Sequence, residues 1–140
     1  MKHEVCARKD VARMKITSHN AADAPRPAVG HAQVVEVSGA TRFAYFSGQV
    51  PVTRDGAVPG SFAGQCRLIW RNIEAQLAEV GMTLDNVVKA TTFLSDRKYA
   101  IENRAIRTEV MGARTRALTV IICGLFDEAW LLEIEVVAAA

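Results

Sequence analysis

The chain has 140 residues and a mass of 15.2 kDa; half of it is hydrophobic, 23% is charged and 6% is aromatic, with a formal net charge of +2. That size allows one domain and excludes two independent ones, and it buries about two-thirds of the unfolded surface, enough to fold without a disulfide or a metal. The hydrophobic fraction excludes a disordered chain, and no apolar run approaches the ~18 residues of a membrane-spanning helix, so a soluble globular domain is expected.

The charge is unevenly placed. Residues 1–31 carry a balance of +3 and the remainder −1, so the body has no basic stripe for phosphates, and neither nucleic acid nor a membrane is the expected partner. Cys6, Cys66 and Cys123 are odd in number and far apart. They lack the CxxC spacing of zinc or thioredoxin-like sites and fit a reducing compartment. The N-terminal MKHEVCARKDVAR has no apolar core of the kind a secretory signal needs. A cytoplasmic location is expected.

Residues 1–13 read as a loose N-terminal extension, and 14–140 as a single domain. A short strand is expected over 12–17, followed by an extended linker over 21–29, where Pro25 and Pro27 block a helix. Gln33–Val37 and Arg42–Ser47 read as two strands around a turn at Ser38-Gly39-Ala40. Gly48, a Val50-Pro51-Val52 segment and a turn at Arg54-Asp55-Gly56 come next. Ser61–Val80 is a helix capped by Ser61, with Phe62, Cys66, Ile69, Ile73, Leu77 and Val80 on one stripe and Gly81 as the stop. Trp70 and Trp130 read as packing residues.

Asn86–Leu94 is β-branched and strand-like, and Lys98–Met111 is helical through Tyr99, Glu102, Ile106 and Val110, stopping at Gly112. The apolar run Leu118–Leu125 predicts a strand covered on both faces, with Cys123 inert inside it, and Trp130–Ala138 a final strand. This order predicts an α+β domain, a mixed sheet of about six strands with two helices packed on one face. The sheet's other face, apolar and uncovered, predicts oligomerisation.

Ser47-Gly48-Gln49-Val50-Pro51-Val52, Gln65 with Asn72-Ile73, Asn86-Val87-Val88-Lys89, Thr92-Phe93-Leu94-Ser95-Asp96, Asn103 and Glu133-Ile134-Glu135 occur in this order. Together they resemble the RidA family, also called YjgF or endoribonuclease L-PSP, from about Met14 to Ala138. The resemblance implies a chorismate-mutase-like (RidA-type) fold assembled as a homotrimer, with ligand pockets at the subunit interfaces. It implies hydrolysis of reactive 2-imino or enamino acids to 2-oxo acids and ammonia, with no metal or organic cofactor.

Such chemistry needs a cation for the substrate carboxylate, which a bidentate Arg supplies best, and a group that positions water at the imine carbon. By resemblance, Glu133 is the water-associated glutamate, and burial would raise its pKa. Glu135 shares its strand face. His31 stands at or beside the place of a pocket-lining tyrosine, Asn103 matches an asparagine that shapes the pocket, and Gly48 and Gln49 line the pocket wall. A glycine at 48 reads as a backbone conformation or close approach that a Cβ forbids.

The family's carboxylate-binding Arg belongs to a Pro-Ala-Arg-Thr/Ser motif. Here the stretch reads Arg114-Thr115-Arg116-Ala117-Leu118-Thr119, and the Arg position falls on Ala117 or Leu118. The chain thus looks like a divergent subgroup without that Arg. Arg114 and Arg116 are the nearby candidates to replace it, although a one-residue slip along a strand reverses the face.

Three functions are weighed. The first is imine or enamine hydrolysis at interface pockets. The alternative is a non-catalytic trimer that binds a small oxo-acid-like ligand, which loss of the Arg favours. An endoribonuclease would want paired general acid–base groups and a basic groove, whereas His3, His19 and His31 all lie in the first 31 residues.

Overall fold

The computed structural model describes residues 13–140; the expected extension, apart from its last residue, and the start of the expected first strand lie outside the described residues. Seven strands and two helices follow in chain order: β1 (Lys15–His19), β2 (His31–Ala32), β3 (Val34–Ser38), β4 (Phe43–Tyr45), α1 (Phe62–Glu79), β5 (Val87–Leu94), α2 (Ala100–Met111), β6 (Arg116–Ile122) and β7 (Leu132–Ala139). The strands form a five-stranded mixed sheet in the order β2-β6-β5-β7-β4 and a separate two-stranded ribbon of β1 and β3.

β5 runs parallel to β6 and antiparallel to β7. The parallel pair is connected by α2, as a crossover requires. Ala90, Thr92 and Leu94 of β5 lie opposite Val136, Ile134 and Leu132 of β7, and this face packs under the helices. From α1, Ile69, Ile73 and Leu77 are fully buried against it and Trp70 is 1% exposed. Each such side chain removed from water contributes about 1.5–3 kcal/mol.

α1 starts and stops as its sequence dictates. The Ser61 hydroxyl accepts from the Gly64 N–H at 3.0 Å, and Gly81 takes a left-handed φ of +70° just past the last turn. Val80, the last member of the expected stripe, is exposed. Two buried or half-buried polar side chains on α1 brace loops instead of packing. Gln65 donates to the Pro59 and Ala129 carbonyls and accepts from the Leu131 N–H. Asn72 donates to the Val50 and Val52 carbonyls.

The structure corrects four sequence expectations. β3 and β4 do not pair across the turn at Gly39: β3 pairs with β1, and β4 pairs with β7. The Thr41 and Arg42 N–H groups both donate to the Ala140 carbonyl, so the C-terminal strand captures the chain as it leaves the turn. The run Leu118–Leu125 is not covered on both faces. β6 begins at Arg116 and ends at Ile122, with Val120, Ile121 and Ile122 each at least 40% exposed, because the helical layer reaches only part of it and the far face has no covering layer in one chain.

His31–Ala32, left between the expected linker and the strand from Gln33, is a parallel edge strand on Arg116–Ala117. Finally, the inward face of α2 is not the stripe through Glu102 and Val110. Asn103, Ile106, Arg107 and Met111 are its buried residues, so the helix turns two polar side chains inward.

On the uncovered face lie Lys89, Thr91 and Phe93 of β5 and Glu133, Glu135 and Val137 of β7, flanked by exposed Phe43 and Tyr45 of β4. That face is apolar at its rim and carries charged groups at its centre.

Candidate functional site

The sequence-derived site residues fall into three groups. The first is Gly48, Gln49 and Glu133. Gln49 and Ile134 exchange both main-chain hydrogen bonds, at 2.7 and 3.1 Å, and Asn72 holds the Val50–Val52 segment behind them. This pins Gly48 against Glu133. A Cβ built on Gly48 would stand 1.8 Å from Oε1 and 2.7 Å from Cδ of Glu133, so glycine at 48 is what leaves the carboxylate room to stand where it does. Leu132 and Ile134 alternate to the helix-covered face, leaving the Glu133 carboxylate half-buried on the open face. No described residue donates a hydrogen bond or offers a cation to it. Glu133 borders a shallow cavity of about 300 Å³ with Phe93, Cys123, Leu125 and Phe126.

The second group is His31 and Asn103, which meet across a cavity of about 250 Å³ between β2, α2 and β6. Leu118 and Val120 form its apolar wall, and Arg104 and Arg107 its charged one. Asn103 is 2% exposed, and its Oδ1 is buried without a hydrogen-bond partner. Such an orphan acceptor costs on the order of 1–3 kcal/mol and needs an explanation.

Arg107 is 8% exposed. Burial, and then Arg104 beside it, pull its pKa below the ordinary arginine value; an arginine nevertheless stays charged in a protein. Sequence reasoning passed over both arginines, because a charged helix residue reads by default as solvated. The available signal was the spacing of Ala100, Asn103, Arg104 and Arg107, which share one face of α2.

The third group is Arg114 and Arg116, which are bound within their own chain. Arg114 donates from Nε to the Asp85 carboxylate at 2.7 Å and from Nη1 to the Met111 carbonyl at 3.1 Å. Arg116 donates to the carbonyls of Val87, Thr115 and Asp85, and burial beside Arg114 lowers its pKa. Both brace the β6 start against the loop before β5. Of the two positions where the family Arg would fall, Leu118 lines the His31 cavity and Ala117 lies on the opposite sheet face.

One chain does not bring these groups together. Glu133 pairs with Phe93, which pairs with Ile121, while His31 pairs with Arg116 at the other end of β6. Five residues of strand separate those rows, about 17 Å at 3.3 Å per residue, and the two sites open on opposite faces of the sheet.

Cys66 and Cys123 are free thiols. Burial pushes the Cys66 thiol up to about 12. Among the described residues no cluster of three His, Cys, Asp or Glu side chains is placed to hold a metal, and no helix is long and apolar enough to cross a membrane.

Two helices on one face of a mixed sheet, with the other face bare, define the chorismate-mutase-like α+β class. Residues 21–140 match the family model Endoribonuclease L-PSP, and the chain belongs to that family. Among relatives, the mitochondrial protein Mmf1 of Saccharomyces cerevisiae is 36% identical over 84 residues, covering 59% of this chain and 56% of that protein. A RutC family protein of Pyrococcus abyssi is 27% identical over 117 residues, covering 82% and 90%. The match to Mmf1 thus spans little more than half that protein's length.

Among solved structures, the Rid-family protein YyfB of Yersinia pestis superposes with a TM-score of 0.77 at 22% identity, covering 89% of this chain and 98% of that one. The crystal structure of yeast Mmf1 does so with 0.67 at 29%, covering 89% and 98%.

Proposed function

We propose that the chain assembles as a homotrimer and hydrolyses small imine or enamine compounds at pockets shared between subunits. The observation that carries the reading is the separation just described. An unpartnered carboxylate at Glu133 and the His31–Asn103 cavity with its unpartnered amide oxygen belong to one family-matched set, yet open on opposite faces, with the Glu133 and His31 rows about 17 Å apart along the sheet. A neighbouring copy that packs with its open face along the β6 edge left unpaired beyond the short β2 would carry its own Glu133 to this chain's His31–Asn103 cavity. The exposed Phe43 and Tyr45 rim is apolar surface such a contact would cover.

At the joined site, Glu133 orients a water molecule and accepts its proton as the oxygen adds to the C=N carbon. Proton return to nitrogen then lets the carbinolamine expel ammonia and leave a carbonyl product. Asn103 and His31 fix the nitrogen end, and the Gly48–Gln49 main chain closes the wall. Position and polarity suffice, since the uncatalysed reaction is already fast. Free Cys66 and Cys123 accord with a reducing, cytoplasmic setting.

The test is ammonia release from enzymatically generated imino acids. Wild type exceeding buffer, with Glu133→Gln reduced by about tenfold or more, supports the reading; wild type equal to buffer refutes it. Engagement of Arg114 and Arg116 within their own chain favours a second reading, a trimer that binds a small ligand without turnover. That reading predicts ligand-dependent thermal stabilisation with ammonia release at the buffer rate.

A further inference from the structure

Arg107 is the best-buried arginine described, and it is alone. Arg42 donates to the Val80 carbonyl and Arg67 to the Glu109 carboxylate, and Arg114 and Arg116 have acceptors of their own. Among the described residues, no carbonyl or carboxylate accepts a hydrogen bond from Arg107 and no acid pairs with it. The Arg107 nitrogens keep some solvent contact, but a guanidinium on a side chain this buried and without a counter-charge is costly, and Arg104 three residues earlier adds a like charge.

Arg107 borders two cavities, one beside Arg114 and Arg116 and one shared with His31 and Asn103; the latter contains no Asp or Glu, and its polar groups are Arg104, Arg107, His31 and Asn103. Its remaining walls are Ala28, Ala100, Leu118 and Val120. Two cations and an imidazole on apolar walls make an anion site, and low polarity strengthens each ion pair formed there. The orphan Oδ1 of Asn103, one helical turn from Arg107, calls for an N–H donor beside the anion.

We infer that Arg107 holds the carboxylate of the substrate in the His31–Asn103 cavity, taking on α2 the task for which the strand position 117–118 has no arginine. The ligand class is a small carboxylate bearing an imine or amine nitrogen on the adjacent carbon: the carboxylate bridges Arg107 with Arg104 at its flank, and the N–H donates to Asn103 Oδ1. Leu118, where an arginine would reach the same cavity from the strand, instead supplies apolar wall for the ligand's side chain. The assignment rests on the proposed small-molecule site but reads a different property of it, recognition rather than turnover.

The experiment is calorimetric titration of the full chain with pyruvate, its neutral amide and inorganic phosphate, for wild type, Arg107→Lys, Arg107→Gln and the exposed-loop control Arg54→Gln. Pyruvate should bind wild type and Arg54→Gln alike, weaken by about tenfold or more in Arg107→Gln and less in Arg107→Lys. The amide should bind weakly to all four. Thermal melting keeps the test sound: ligand-free Arg107→Gln should melt at or above wild type, because an uncompensated buried charge has gone, whereas a structural arginine would lower the melting point.

Wild-type-like pyruvate binding by Arg107→Gln, no pyruvate binding by wild type, or tighter binding of phosphate than of pyruvate would each overturn the assignment. Turnover separates the two readings. Arg107-dependent pyruvate binding with ammonia release at the buffer rate keeps the carboxylate site and removes the hydrolase. Ammonia release with an unchanged KM in Arg107→Gln does the reverse.

Discussion

Gly48 lies so close to Glu133 that a single added methyl carbon would stand 1.8 Å from the carboxylate oxygen. The obstructing atoms are the far end of a flexible side chain on a half-exposed face, so the carboxylate swings aside before the backbone does. Gly48→Ala should therefore cost at most about 1 kcal/mol of stability while displacing Glu133. Its ammonia release should fall to the level of Glu133→Gln, with a near-native denaturation curve. A Gly48→Ala protein with full activity would separate Glu133 from the chemistry.

Asn103 presents the opposite balance, a buried polar group without its partner. Asn103→Ala removes an unsatisfied acceptor, so its unfolding free energy should stay within about 1 kcal/mol of wild type. The rise in melting temperature on adding alanine, whose amine can donate to Oδ1, should shrink markedly. A large destabilisation would assign Asn103 a structural bond instead.

Gln65 is equally buried but fully used, joining α1 to the Pro59 carbonyl and to both Ala129 and Leu131 of the β6–β7 loop. Gln65→Ala leaves those main-chain groups unpaired, and urea denaturation should show a loss of about 2–4 kcal/mol. Because that loop leads into Glu133, activity should fall as well.

The Cys66 thiol, ordinarily at 9.0, is pushed up to about 12 by burial. Its folded value lies above its unfolded one, so this contribution to stability is complete below pH 9 and is lost as pH rises towards 12. The slope reaches about 1.4 kcal/mol per pH unit for one proton. Comparing Cys66→Ala with wild type across that range, the variant should lose stability less steeply, and native Cys66 should resist thiol reagents that label the partly exposed Cys123.

Local signals made much of this fold legible. The 3–4 spacing from Phe62 to Leu77, the Ser61 cap and the Gly81 stop set out α1 almost to the residue, and β-branching marked β5. Pairing was not legible across the Gly39 turn, because β4 answers to β7, nearly a hundred residues away. Nor could the apolar pattern of β6 tell burial by helices from surface left bare on a single chain.

The motif order picked out Gly48, Glu133, His31 and Asn103, but not the contact between the first two or the cavity shared by the last two. Arg107 was hidden because nothing in its sequence neighbourhood distinguishes an inward arginine from a solvated one. Only the packing of α2 against β2 and β6 does so.

The proposed pocket is shared between subunits. Its most direct test mixes two variants, Asn103→Ala and Glu133→Gln, unfolded together and refolded at equal concentration. In a cyclic trimer each pocket draws its cavity from one subunit and its glutamate from the next, so about a quarter of the pockets regain both native halves. Ammonia release at about a quarter of the wild-type rate, well above either variant alone, is the predicted result. A mixture no more active than the average of its parents would contradict the shared pocket.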